Sequence, residues 1–210
     1  MQEIVLIGAG GHCKSCIDVI ESTNKFEIKG ILDRNKKIGD SLFDYPILGS
    51  DEELHLLPYR HFVISIGQIK NVVPRKTSYK KIKKIDGFCP IIISSKSYVS
   101  KYAQIAEGTI VMHNAFVNAA SQIGKNCIIN TKANIEHDVV IGNHCHISTS
   151  ATINGNSRVG NCCFIGSSSV VSSQVNITSN VILGAGSVVV KDIDVAGVYV
   201  GSPVRKVASC

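Results

Sequence analysis

From Val99 onwards an aliphatic residue stands at every sixth position, through Ile105, Val111, Val117, Ile123, Ile129, Ile135, Ile141, Ile147, Ile153, Val159, Ile165, Val171 and Ile177 to Leu183. Composition cannot produce an unbroken run of that length in a chain that is 44% apolar. The positions four residues after each of these, from Ala103 to Ser187, are all small or β-branched, so a second column runs beside the first. A period of six fits neither the 3.6-residue turn of a helix nor the alternation of a plain strand. It requires a short strand and a corner in every repeat.

Such a repeat predicts a hexapeptide β-helix, with the aliphatic residue pointing into a prism and the small residue sitting where the corner narrows. Three hexads make a coil, so the repeats predict about five coils, roughly 24 Å tall at the ~4.8 Å spacing of neighbouring strands. Gly or Asn after the small residue, as in Gly142-Asn143 and Gly160-Asn161, is expected to make the tight bend. Cys127, Cys145 and Cys163 fall in the small-residue column and need no other explanation. Stacking leaves unpaired strands only at the two ends. The N-terminal domain is expected to cover one end, and the tail after Val190 to fold back on the other.

Residues 1–94 follow a different rhythm, with short apolar runs (Ile4–Ile7, Ile28–Leu32, Phe62–Ile66, Ile91–Ile93) alternating with polar amphipathic stretches. This predicts an α/β domain, a small parallel sheet of Rossmann-like βαβ units with covering helices. The expected division is therefore an α/β domain over 1–94 and an all-β prism over 95–210. Aromatic residues make up only 6% of the chain and Trp is absent, which suits a core built from aliphatic and small side chains.

The formal charge of +6 is spread along the chain, with one cluster at Lys80, Lys81, Lys83 and Lys84 that reads as a solvated helix end or loop rather than a nucleic-acid footprint. The N-terminus lacks a secretory pattern and no stretch reaches the ~18 apolar residues of a membrane span, so a cytoplasmic location is expected. There the eight cysteines would be reduced thiols. Cys13 and Cys16 form an isolated C-x-x-C, which is read as two small helix residues after a Gly-rich turn.

The hexad array is preceded by Ile7-Gly8-Ala9-Gly10-Gly11-His12, contains Ile135-Glu136-His137-Asp138 and closes on Gly201-Ser202-Pro203. In these features, and over essentially its whole length, the chain resembles the bacterial sugar O- and N-acetyltransferases. These include enzymes acting on sialic acids and on nucleotide-linked 4-amino-4,6-dideoxy sugars. The resemblance implies a left-handed β-helix, a homotrimer with active sites between subunits, and acetyl-CoA as co-substrate. It implies that His137 is the general base, a task suited to imidazole, and that Asp138 raises its basicity. Neighbours on an extended strand point to opposite sides, so that second role needs a corner at Asp138.

The same resemblance implies that His146, Gly155, Ser167 and Ala185 meet acetyl-CoA, and that Gly10, Gly11, His12, Asp33, Arg34 and Gly67 meet the nucleotide sugar. The turn departs from a dinucleotide fingerprint, with Cys13 where G-x-G-x-x-G needs its third Gly. Gln68 also stands where related chains often carry Asn. The implied reaction is N-acetylation of the 4-amino group for bacterial surface or protein glycans, with no metal, nucleic acid or membrane partner. O-acetylation of a sialic-acid-like sugar is the alternative. Two more distant readings are a γ-class carbonic anhydrase, with ligands drawn from His113, His137, His144 and His146, and a non-catalytic scaffold.

Overall fold

In a computed structural model that describes residues 1–209, the first apolar run forms β1 (Gln2–Ile7), followed by α1 (Gly11–Thr23) and β2 (Phe26–Leu32). A short hairpin of β3 (Ser41–Leu42) and β4 (Tyr45–Gly49) leads to β5 (Phe62–Ile64) and α2 (Val73–Lys84). The sheet order is β3-β4-β2-β1-β5, parallel except for the antiparallel β3–β4 edge. Its carboxyl ends meet at Gly8, Asp33 and Ser65, the position at which open parallel sheets bind ligands. Both Cys13 and Cys16 are buried on α1, and burial pushes the Cys13 thiol up to about 11. Neither has the thiolate character of a redox pair.

The repeat region forms three parallel faces of two- and three-residue strands. The first face runs from Ile92–Ile93 through Ile110–Val111, Ile128–Ile129, His146–Ile147 and Phe164–Ile165 to Val181–Leu183. The second runs from Tyr98–Val99 to Val188–Val189, and the third from Gln104–Ile105 to Asn176–Ile177. Together they make five complete coils, with one extra strand before them and one after. The register is 18 residues throughout, as in Ile129↔Ile147 and Ile147↔Ile165. Ile129, Ile135, Ile147, Ile153 and Ile165 are all fully buried.

The small-residue column does more than save space. Thr109, Ser121, Ser157 and Ser169 donate their hydroxyls, and Cys127, Cys145 and Cys163 their thiols, to main-chain carbonyls at the corners. Corner carbonyls that no strand can reach are thereby satisfied.

Three expectations are corrected. The left-handed corner residue is one or two places beyond the Gly-Asn pairs, at His144 and Cys162 rather than Gly142 and Gly160. Those glycines answer a different need: a Cβ on Gly142 would lie 2.8 Å from the Asn161 nitrogen in the next coil. Ile92–Ile93, read as part of the N-terminal sheet, pairs instead with Ile110–Val111 of the prism. Finally, the N-terminal unit leans on the side of the prism instead of covering its end. Ile17 and Val19 of α1 share one apolar cluster with Ile92, Ile110 and Ile128 of the first face, while Val99 and Ile105 of the first coil stay half-buried. At the far end the tail does fold back. Ile193 is buried against the core, and Gly197–Gly201 extends the first face before turning, through Ser202-Pro203, into Val204–Ala208.

Candidate active site

Where the sheet's carboxyl ends face the prism's first face there is a cavity of about 970 Å³. One wall is the glycine turn. Gly8 has φ +102°, and a Cβ there would meet Ile66, so this position admits only glycine. Ser65 donates to the carbonyls of Ile7 and Gly8, and Asp33 accepts the Ala9 amide at 2.7 Å and the Asn35 amide at 2.8 Å. The Asp33 carboxylate therefore shapes the turn as well as bordering the cavity. Gly10 and Gly11 open α1 with nothing within 4 Å of where a Cβ would stand, leaving the lip of the cavity clear. Arg34 also lines the cavity, and its guanidinium is held by Asp51 and Glu52.

The opposite wall belongs to the prism. His146 is 6% exposed, and its Nδ1–H donates to the Gln68 carbonyl at 2.5 Å. Asn130 uses its own oxygen on the Thr131 amide, so its Nδ2 donates to His146 Nε2 at 3.0 Å. Phe164, one coil further on, meets the ring edge-on. Both ring nitrogens are thus used in the neutral form, and burial lowers the His146 pKa to about 4. His12 comes from the glycine turn to within 6.5 Å of the His146 ring centre. Burial first, then the charges of Arg75 and His146, brings its pKa to about 3. Its Nε2 is buried with no hydrogen-bond partner among the described residues, as is Oε1 of Gln68.

Of the twelve residues expected to act, Gly10, Gly11, His12, Asp33, Arg34, Gly67, His146 and Ser167 line this one cavity. Ala185 is exposed at the same corner as Ser167 and one coil away, where the amide of Gly186 donates to the Ser167 carbonyl. His137, Asp138 and Gly155 are not part of it. They occupy the edge between the second and third faces, across the prism from the first face.

At that edge Asp138 has φ +61°, the corner its role requires, and its Oδ2 lies 2.8 Å from His137 Nδ1. A carboxylate accepts, so Nδ1 carries the hydrogen and Nε2 keeps its lone pair. A Cβ on Gly155 would stand 2.6 Å from Nε2, so the absence of a side chain there is what lets the ring approach the next coil. Glu136 faces outward but is clamped by Asn118 and Asn134. In the single chain His137 and Asp138 are 62% and 57% exposed.

The histidines weighed as metal ligands face separate partners. His113 bonds Ser94 and Asp18, His144 faces Asn126, and His146 and His137 are engaged as described. Among the described residues no group of three or more His, Cys, Asp or Glu side chains is placed to hold a metal ion. None of the helices described is long and apolar enough to cross a membrane. The lysine cluster does end a helix, with Lys81 paired to Asp51 and Lys83 to Glu107.

Asn130 and Phe164, which line the cavity, and Arg75 behind it were not foreseen, and Gln68 was singled out only as a departure from related chains. Phe164 was within reach of the 18-residue register from His146. Arg75, in a lysine-rich helix, gave no sign that it would be the one buried cation among them.

Residues 3–82 match the PglD N-terminal domain, and residues 120–155 match the bacterial transferase hexapeptide model of six repeats. No curated protein matches the sequence. Among solved structures, the acetyltransferase domain of PglB from Neisseria gonorrhoeae is 27% identical with a TM-score of 0.92, over 99% of this chain and 100% of that one. The same domain in complex with acetyl coenzyme A is 28% identical with a TM-score of 0.92, over 98% and 99%. PerB from Caulobacter crescentus, in complex with CoA and GDP-perosamine, is 28% identical with a TM-score of 0.90, over 99% and 98%. With a PglD-type N-terminal domain and a hexapeptide prism in one chain, the protein is similar over nearly its whole length to an acetyltransferase domain and to a perosamine N-acetyltransferase of bacterial origin.

Proposed function

We propose that this chain transfers the acetyl group of acetyl-CoA to the 4-amino group of a nucleotide-linked 4-amino-4,6-dideoxy sugar, as a step in glycan synthesis. The observation that carries the reading is the nucleotide-sized cavity between the Gly-Gly-His turn and His146. It occurs in a chain similar throughout to PerB, a structure holding CoA and GDP-perosamine. The N-terminal unit would hold the nucleotide sugar, and the prism would supply the chemistry.

His137 is the base in this reading. As the sugar nitrogen attacks the thioester carbonyl carbon, Nε2 takes a proton from the nitrogen, and Asp138 stabilises the imidazolium through Nδ1–H. Collapse of the tetrahedral intermediate breaks the carbon–sulfur bond, and the imidazolium returns the proton to the departing thiolate. An exposed histidine is a poor base for this, because the step gains from exclusion of water. The base also lies across the prism from the cavity. Both points support a homotrimer in which the His137 edge of one subunit closes on the cavity of its neighbour. Acetyl-CoA would lie along that junction past Ser167, Ala185 and Gly155. This reading puts the enzyme in the cytoplasm.

The test is to incubate the protein with acetyl-CoA and a panel of UDP-, dTDP- and GDP-linked aminosugars while following thiol release. Turnover of at least one 4-amino sugar, lost in His137→Ala, is expected. Turnover of a sialic acid and of none of the panel would overturn it.

A further inference from the structure

Arg75 sits on α2 with 1% of its surface exposed. Among the described residues no carboxylate pairs with it. Its Nη1 donates to the carbonyls of Ile64 at 2.8 Å and Ile66 at 2.6 Å, and its Nη2 to Asn126 Oδ1 at 2.7 Å. Burying a guanidinium among neutral partners is expensive, and the cost shows in a pKa lowered by burial to about 10. A hydrophobic residue would fill the space with less strain on stability, so the charge and the fork have another use.

The contacts around it close into a ring. Ile64 and Ile66 flank the start of the loop that carries Gln68. Asn126 is a corner residue of the prism, and its Nδ2 lies 3.0 Å from His144 Nδ1. The His144 carbonyl accepts the Gln68 side-chain amide at 3.1 Å, and the Gln68 carbonyl accepts His146 Nδ1–H. One guanidinium thus grips the loop with one nitrogen and the prism with the other, at the junction where the His146 ring is fixed.

We propose that Arg75 is a positioning residue for His146: by holding the Gln68 loop against the prism corner it fixes the carbonyl that keeps the hydrogen on Nδ1, leaving Nε2 as the acceptor toward Asn130 and the cavity. Its consequence for turnover rests on the acetyl-transfer reading above. Lysine cannot replace it, because one ammonium cannot reproduce the two-sided fork.

The experiment labels the histidines of the full-length protein with ¹⁵N and records two-bond ¹⁵N–¹H correlations for wild type and Arg75→Lys, alongside kcat/KM. Wild type should show His146 with Nδ1 protonated. The variant should show Nε2 protonation growing at its expense, with the His137 signals unmoved and kcat/KM lower on the order of 10- to 100-fold. If Arg75→Lys does not fold, Asn126→Gly carries the test, since glycine suits the left-handed backbone at φ +54° and the variant removes the prism-side grip on Nη2 together with the contact to His144, leaving the loop-side grip in place. The same His146 shift is then expected, in smaller proportion. Variants that lose thermal stability while keeping the wild-type His146 spectrum and kcat/KM would overturn the proposal. If wild type acetylates no sugar while the His146 spectrum still moves in the variants, the proposed function falls and the positioning stands.

Discussion

The prism and the N-terminal unit solve the same problem of burying aliphatic surface in opposite ways. In the prism each inward residue stacks on residues 18 before and after it, and the small-residue column satisfies the corner carbonyls, so environment repeats with register. In the N-terminal unit nothing repeats. The cavity gathers residues from the ends of β1, β2 and β5, from α2 and from the prism face. Among the described residues, two of the four buried polar side-chain atoms that lack a partner, on His12 and Gln68, belong to this cavity. Buried polar atoms are normally paired, because an unpaired one costs about 1–3 kcal/mol. The cavity therefore keeps unsatisfied groups that a ligand could complete.

The comparison breaks most visibly at His137. An imidazole that is mostly exposed in the single chain adds little to the fold, so His137→Ala should leave the melting temperature near wild type and lower kcat by roughly 10²- to 10⁴-fold. A melting temperature that falls with the rate would mean the edge is structural.

Ile147→Ala probes the other side of the comparison. Its side chain is wholly buried between Ile129 and Ile165, and truncation should cost about 2–5 kcal/mol in denaturant unfolding. A loss well under 1 kcal/mol would show that the coils relax around a cavity and that the stacking is not the main store of stability.

Asp33→Ala should weaken the cavity without unfolding the chain. It leaves the Ala9 and Asn35 amides without their acceptor, a loss of about 1–3 kcal/mol. If the turn binds the nucleotide sugar, KM for that substrate should rise by about 5- to 150-fold at unchanged KM for acetyl-CoA.

A further effect, spread over several groups, concerns the seam between the two regions, where His12, His144 and His146 lie. Their folded pKa values are lowered to about 3, 4 and 4, mainly by burial. An unfolded histidine titrates near 6.5. Between about 6.5 and 4 the unfolded chain therefore binds more protons than the folded one, so stability rises with pH across that window and is level above it. The melting temperature should fall as pH is taken from 7.5 to 5, and His146→Asn should flatten part of that slope. A melting temperature independent of pH over this range would show that the histidines are not buried as described.

The prism was legible in the sequence because each of its positions repeats its surroundings, so fifteen aliphatic residues at one spacing identify an inside without reference to anything distant. The glycine turn was legible too, since φ +102° at Gly8 selects a residue type on its own. The Gly-Asn corners were read one or two residues early. Local turn chemistry ranks Gly and Asn as bend formers, whereas at Gly142 and Gly160 the constraint comes from the coil stacked above. Ile91–Ile93 was assigned to the wrong sheet because an apolar run of that length has no preference between partners.

What the sequence determined alone is therefore periodic or local: the prism, its number of coils, the turn and the Glu-His-Asp corner. What only the tertiary structure decided is relational. It set the N-terminal unit on a side face of the prism, put His146 against the Gln68 carbonyl, and buried Arg75 in a helix none of whose lysines is buried. It also separated His137 from the cavity by the width of the prism. Contacts between residues tens of positions apart depend on how two surfaces meet, and no spacing along a chain encodes that.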